Sequence, residues 1–375
     1  MPTAAHLSAE PGAADQPPRR AARAIVSAGA LRHNLRRVRE RAPGARVMAV
    51  IKANGYGHGL VGTARALREA DAFAVARMEE AVALRQAGLD QPVVLLEGVL
   101  DPQQLPLASA LGLELVVHSA EQLAMLEAAS LARPVQAWLK IDTGMNRLGF
   151  PQDAARDAAA RLERCGNVRP GIRLMTHLAC ADERDDGVTG GQLERFRAAL
   201  GDLPGERSIA NSAALLWRPE THADWVRPGI MLYGASPFAD TTGPELGLQP
   251  AMELLSTVIA LRTVQRGERV GYGGVWTARE DTRLAIAAIG YGDGYSRHLG
   301  SGTPVLVRGQ RAPLAGRISM DMIAIDVTRV PGVEVGDEVT LWGRGLAVEE
   351  LARLAGTIPY ELLCGVTQRV GVTMS

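Results

Sequence analysis

Between Val47 and Tyr233 short apolar runs alternate with turns and helical segments eight times over, and few folds accommodate that rhythm. The runs fall at 47–51 (VMAVI), 72–76, 93–96, 114–117, 136–141, 173–177, 207–210 and 230–233. Short apolar runs bounded by turn residues read as buried parallel strands. Between them lie helix-like stretches such as MEEAVALRQAG, AEQLAMLEAA, residues 154–162, GQLERFRAAL and SAALLW. Eight strand-helix units in about 200 residues predict a (β/α)8 TIM-type barrel over residues 24–241. Ahead of the series, 30–41 carries Leu31, Leu35 and Val38 at helical spacing with a solvated arginine face.

Beyond the barrel the texture changes. Residues 254–264, 283–289, 303–307 and 322–327 are rich in β-branched residues and separated by glycine turns, and one helix is evident at 348–355. This predicts a mainly antiparallel C-terminal β domain over 242–375, reached through a linker at 238–250 dense in Gly, Pro and Thr. Residues 1–23 are rich in Ala, Pro and charge, without the apolar core of a signal peptide, and read as a disordered lead-in.

Charge and cysteine content narrow the function classes. Lys plus Arg and Asp plus Glu both number 41, so no global field draws the chain to nucleic acid or an anionic membrane. No apolar run reaches membrane-spanning length. Cys165, Cys180 and Cys364 are odd in number and unpaired in spacing, which argues against a disulfide framework or zinc site and for a reducing, cytoplasmic compartment.

The strand ends carry the chemistry. The first run delivers Lys52 and dissolves into Asn54, Gly55, Gly57 and Gly59. A lysine at the edge of an apolar core loses its proton more readily than one in water, which makes it a candidate Schiff-base nucleophile. Lys140 and Asp142 lie at the end of the fifth run, His177 ends the sixth, Asn211 and Ser212 end the seventh, and Arg227 with Gly229 flanks the eighth. In a barrel all converge on the face where such enzymes react their substrates. Ser212 is also a candidate helix N-cap. Gly57, Gly59 and Gly62 form the GxGxxG of a dinucleotide loop, but eight units argue against a doubly wound sheet. His177 with Asp182 and Glu183 lacks metal-ligand spacing, so no metal is expected.

VIKANGYGHG, WLKIDTGMNRLGF, MTHLACADE, IANSAA, VRPGIMLYGASP, VGYGGVWTA, AIGYGDGY, GRISMDM and IPYELLCGV resemble, in that order, the motifs of the alanine racemases, pyridoxal 5'-phosphate (PLP) enzymes of fold type III. The resemblance implies that Lys52 holds PLP and is one base, facing the D-enantiomer, and that Tyr272 is the other, acting on L-alanine. Racemisation removes the α-proton from one side of a planar centre and returns one to the other, so two bases on opposite faces serve it. A tyrosine with an ordinary pKa of about 10 needs help from nearby cations. His177 is implied to hydrogen-bond Arg227, and Arg227 to face the pyridine nitrogen without protonating it. Tyr56 and Asn211 are implied to contact the cofactor, and Ser212, Gly229, Ile230 and Tyr360 its phosphate. Arg147 is implied to pair with the substrate carboxylate, Met320 to bind it through its backbone amide, and Tyr291 to gate access. Lys140 matches a lysine that is carbamylated in many members. Tyr272, Tyr291 and Met320 are implied to reach into a partner's barrel, so a homodimer is expected.

Three departures stand out: Ser319 where many relatives carry cysteine, a C-terminus ending RVGVTMS, and the lead-in itself. The readings left beside L-/D-alanine racemisation are a broad-specificity racemase, a fold type III decarboxylase and a non-catalytic PLP-handling protein. Carriers of that last kind lack a β domain bearing Tyr272 and Met320.

Overall fold

The computed structural model describes residues 21–184 and 187–375, so the expected lead-in lies outside the described residues as far as residue 20. Eight parallel strands close into a barrel: Arg46–Val50, Ala72–Val75, Val93–Leu95, Glu114–Val117, Gln136–Lys140, Arg173–Met175, Arg207–Ser208 and Trp225–Val226. The last pairs with the first, Arg46 opposite Trp225. Closure removes the open crevice of a doubly wound sheet, and with it the dinucleotide reading of Gly57, Gly59 and Gly62. Two helices start at serine caps: Ser27 accepts from Ala30 N at 3.2 Å and Ser119 from Gln122 N at 3.3 Å.

One strand differs from expectation. The eighth is Trp225–Val226, whereas Ile230–Tyr233 is a buried 3₁₀ turn. An apolar run of that length does not distinguish strand from helix, and Pro228–Gly229 breaks the extended path before it is reached. Arg227 therefore stands directly at the end of the last barrel strand.

The N-terminal mouth of the barrel is closed by paired charges. Arg173 lies 5.2 Å from the Trp138 ring and 5.3 Å from the Trp225 ring, with Glu114 at 2.7 Å and Glu206 at 2.9 Å. Glu114 also accepts from Trp138 Nε1 at 2.7 Å. Arg173, Glu114 and Glu206 are thus mutually paired, which contrasts with the opposite mouth.

The second domain is built on the long strand Met252–Val264, which pairs antiparallel with Thr282–Ala287 and Glu338–Trp342. Pro304–Val307 and Gln310–Pro313 form a hairpin whose turn, Arg308 (φ 51°) and Gly309 (φ 74°), has the left-handed pair that tight hairpins need. Arg23–Val26 joins this sheet too, antiparallel to Met252–Val264 and parallel to Gly371–Met374. The residues just before the barrel thus belong to the second sheet, and the terminal GVTM is an edge strand. The helix Val348–Ala355 has the bounds its sequence predicts, and a second, Pro359–Cys364, follows it.

Two buried polar side chains bind the linker to both domains. Asn34 donates to Leu232 O at 2.9 Å and Gln249 O at 2.8 Å and accepts from Gln249 N at 2.8 Å. Glu349 accepts from Ser236 N at 2.8 Å and Gly243 N at 2.7 Å. Asn34→Leu leaves three backbone groups unpaired, and a stability loss of about 3 kcal/mol in urea unfolding is expected. An unchanged midpoint would show that solvent replaces those bonds.

Candidate active site

At the C-terminal mouth of the barrel lies a cleft of about 490 Å³ lined by Lys52, Tyr56, Lys140, Arg147, His177, Asn211, Ser212, Arg227, Gly229, Ile230 and Tyr360. Eleven residues singled out by sequence meet there; Tyr272, Tyr291 and Met320 do not line it.

Lys52 follows the first barrel strand, and an unusual turn comes directly after it. Ala53, Asn54, Gly55 and Tyr56 all take left-handed φ angles, 53°, 55°, 63° and 51°. Gly57 (φ 80°) permits close approach of the helix Pro359–Cys364, because a Cβ there would sit 2.1 Å from the Leu363 carbonyl. This contact brings Tyr360 and Cys364 to the cleft.

The loop after the fifth strand is shaped by Asp142, whose Oδ1 accepts from the amides of Gly144, Met145 and Asn146 at 2.9, 3.0 and 3.1 Å. That turn presents Arg147. At the start of the helix Ser212–Trp217, Asn211 is the cap, its Oδ1 accepting from Ala214 N at 3.0 Å. Ser212 is thereby free of capping, and its Oγ accepts from Gly229 N at 2.8 Å. Gly229 admits no side chain, since a Cβ would meet the Tyr56 hydroxyl at 2.6 Å.

Arg227 is 5 % exposed and has no carboxylate partner among the described residues. It donates to Ser208 Oγ and Thr176 O, both at 2.6 Å, and to Ile209 O at 3.1 Å. Its Nη2 also lies 3.3 Å from His177 Nδ1. A guanidinium only donates, so Nδ1 is the acceptor and the His177 proton sits on Nε2. Burial, then the charges of Arg227, Lys140, Arg147 and Lys52, hold His177 far below its ordinary pKa and keep it neutral.

The electrostatics of this mouth are one-sided. Burial and then Arg147 lower the Lys52 pKa, opposed by Glu97 and Glu80. Burial, followed by Arg227, Arg147 and Lys52, brings Lys140 down to about 8, with Asp142 opposing. Burial lowers Arg227 to about 10. Four cationic side chains share the cleft with a single lining carboxylate, Glu97. With the Ser212 hydroxyl and the Ile230 amide, that donor set fits a compact anionic ligand such as a phosphate-bearing cofactor.

Some contributors carried no sequence signal. Gln192 is a buried polar residue inside the helix Val188–Leu200, and its Nε2 donates to His177 O at 3.0 Å and Thr143 Oγ1 at 3.2 Å. Nothing in its local sequence marks it, because its partners come from two other loops. Cys364, which sequence gave no position in the site, lines the cleft.

Tyr272, Tyr291 and Met320 are exposed on the second domain, and the loops of the last two lie together. Tyr291 N donates to Ser319 O at 3.1 Å and Gly292 N to Met320 O at 2.9 Å, so these two loops are held to each other. Arg369 braces the pair through Asp293 at 3.3 Å and Asp321 at 2.7 Å. Tyr272 is 66 % and Met320 52 % exposed.

Comparison with known proteins assigns the scaffold. The alanine racemase N-terminal domain model matches residues 26–237 and the C-terminal domain model residues 251–374. An alanine racemase of Nitrosococcus oceani is 55% identical over 353 residues, covering 94% of this chain and 98% of that protein. A biosynthetic alanine racemase of Salmonella typhimurium is 50% identical, with the same coverage of each chain. The crystal structure of the biosynthetic alanine racemase from Pseudomonas aeruginosa superposes with a TM-score of 0.92 at 48% identity, covering 95% of this chain and 100% of that one. With both domains matched and half of the residues shared along nearly the whole length, this chain belongs to the alanine racemase family.

Proposed function

We propose that the chain interconverts L- and D-alanine with PLP as cofactor, working as a homodimer whose two sites are shared between subunits. The observation that carries this reading is the convergence of Lys52, Lys140, Arg147 and Arg227 on one barrel mouth of a chain from this family. PLP, when bound, spreads the negative charge left by removal of the α-proton.

The rest falls to the protein. Lys52, its ammonium disfavoured by burial and by Arg147, would give up its proton more readily than an ordinary lysine, first to hold the cofactor and then to carry a proton on one face. Tyr272 of the partner subunit carries it on the other. Ser212, Tyr360 and the backbone at Gly229 and Ile230 would hold the phosphate, with Tyr56 and Asn211 beside the cofactor. Arg227 would face the ring nitrogen, and its guanidinium, at a pKa of about 10, holds its protons too tightly to protonate that nitrogen, which would limit side reactions that need a stronger electron sink. Arg147 and the Met320 amide orient the substrate carboxylate, and Tyr291 screens the approach.

In D₂O, the protein loaded with PLP and supplied with L-alanine is expected to exchange the α-proton while D-alanine accumulates, seen by NMR and a chiral assay on one sample. Bound PLP with neither exchange nor D-alanine would overturn the reading in favour of a carrier.

Lys140 belongs to the same proposal as a carbamylated residue whose new carboxylate would offset the cation excess around Arg147. Carbon dioxide adds only to a neutral amine. With its pKa brought to about 8, Lys140 offers that amine as pH rises through this value, where an ordinary lysine is still charged. A carbamate resonance from ¹³C-bicarbonate is expected to grow between about pH 7 and 9 and to be missing in Lys140→Ala. Its absence from the unsubstituted protein would remove the modification.

A further inference from the structure

The motif that delivers Lys52 contains a residue the proposed chemistry leaves unused. His58 is fully buried. Its Nδ1 lies 2.8 Å from Tyr56 O and 3.1 Å from Gly55 O. Carbonyls only accept, so the proton is on Nδ1. Nε2 is buried without a partner, and the ring packs 4.6 Å from that of Tyr233. Tyr233 in turn stacks on Tyr56 at 4.6 Å and donates its hydroxyl to Val50 O at 3.0 Å. Burial holds the imidazole pKa near 4, so the ring is neutral wherever the protein works.

What His58 touches is the exit of the left-handed turn. Three of its four residues, Ala53, Asn54 and Tyr56, carry a Cβ that clashes in this conformation, so the turn persists only if its surroundings hold it. Two other ties act at its start: Asn54 N donates to Glu80 at 3.2 Å, and Asn54 Oδ1 accepts from Leu60 N at 2.9 Å. Lys52 precedes the turn and Tyr56 ends it, and both side chains line the cleft. If one of these φ angles relaxed to a negative value, the direction of Lys52 against the barrel strand would change.

We infer that His58 is a positioning residue that, by donating Nδ1–H to the Gly55 and Tyr56 carbonyls, holds the left-handed turn aiming Lys52 and Tyr56 into the cleft. The inference rests on the cofactor-holding role proposed for Lys52. His58 itself never meets the reacting atoms.

Three substitutions separate donor from packing. His58→Asn places an amide N–H where Nδ1–H stands, His58→Gln reaches to the position of Nε2, and His58→Phe keeps a ring against Tyr233 with no donor. The probe is PLP: its dissociation constant, its borohydride trapping on Lys52 read by mass spectrometry, and kcat and KM for L-alanine. Phe and Gln are expected to weaken PLP binding and lower kcat about tenfold each with KM little changed, while Asn stays within about threefold of the unsubstituted protein. A wild-type-like Phe variant beside an impaired Asn variant would overturn the inference, because ring packing would then be what matters. If Phe does not fold, the Asn and Gln pair decides, and equal effects of the two would overturn it. Failure of the unsubstituted protein to trap PLP on Lys52 is a different result, one that strikes the cofactor reading itself.

Discussion

Lys52→Ala is expected to abolish racemisation, lowering turnover by at least about four orders of magnitude, because in the proposed function this one residue both anchors the cofactor and serves as a base. Stability should move the other way. A lowered lysine pKa means the folded cleft disfavours the ammonium. The folded protein binds that proton less tightly than the unfolded chain, so the charge costs stability at neutral pH and the cost fades as pH rises toward the ordinary lysine value. Removing Lys52 therefore should leave the melting temperature unchanged or slightly higher in the absence of PLP. Exchange of the α-proton in D₂O and a thermal melt on one preparation test both halves. Turnover within about tenfold of the unsubstituted protein would sink the assignment of Lys52.

Mixing two dead variants should restore activity. Tyr272→Phe is expected to bind PLP and lose racemisation by about three orders of magnitude, the cost of a missing general acid-base. If Tyr272 serves the partner's Lys52, a dimer of one Lys52→Ala and one Tyr272→Phe subunit has one site with both bases and one with neither. Random exchange in an equal mixture makes about half of the dimers mixed, each with one of two sites intact, so about a quarter of the original activity should return. If Lys52 and Tyr272 of the same chain worked together, each mixed dimer would hold two damaged sites and nothing would return. The two-thirds exposure of Tyr272, away from its own subunit's cleft, favours the first outcome. A wild-type-like Tyr272→Phe would remove the second base altogether.

The barrel was legible because parallel strands buried on both faces leave continuous apolar runs, and seven of the eight such runs became barrel strands. The eighth escaped for a physical reason. Trp225–Val226 is two residues long, too short to leave a run, and the stronger apolar signal at Ile230–Tyr233 reports burial alone. Arg23–Val26 was illegible in another way, since its partners lie more than two hundred residues away and no local pattern marks a pairing with Met252–Val264.

The sequence by itself determined which residues crowd one mouth of the barrel. Lys52, Lys140, His177 and Ser212 each stand within two residues of an apolar run's end, Arg227 lies just ahead of the last run, and strand direction does the rest. Tertiary structure alone decided their condition. The left-handed turn over Ala53–Tyr56 contains one glycine, Gly55, so its shape was not written in residue type. It depends on His58, Glu80 and Leu60 meeting it from outside. The lowered pKa values of Lys52 and Lys140 likewise come from burial and from the other cations of the cleft. Residue type and period are local and survive in a string. Desolvation, strain and unpaired charge belong to the three-dimensional neighbourhood, which exists only once the chain has closed on itself.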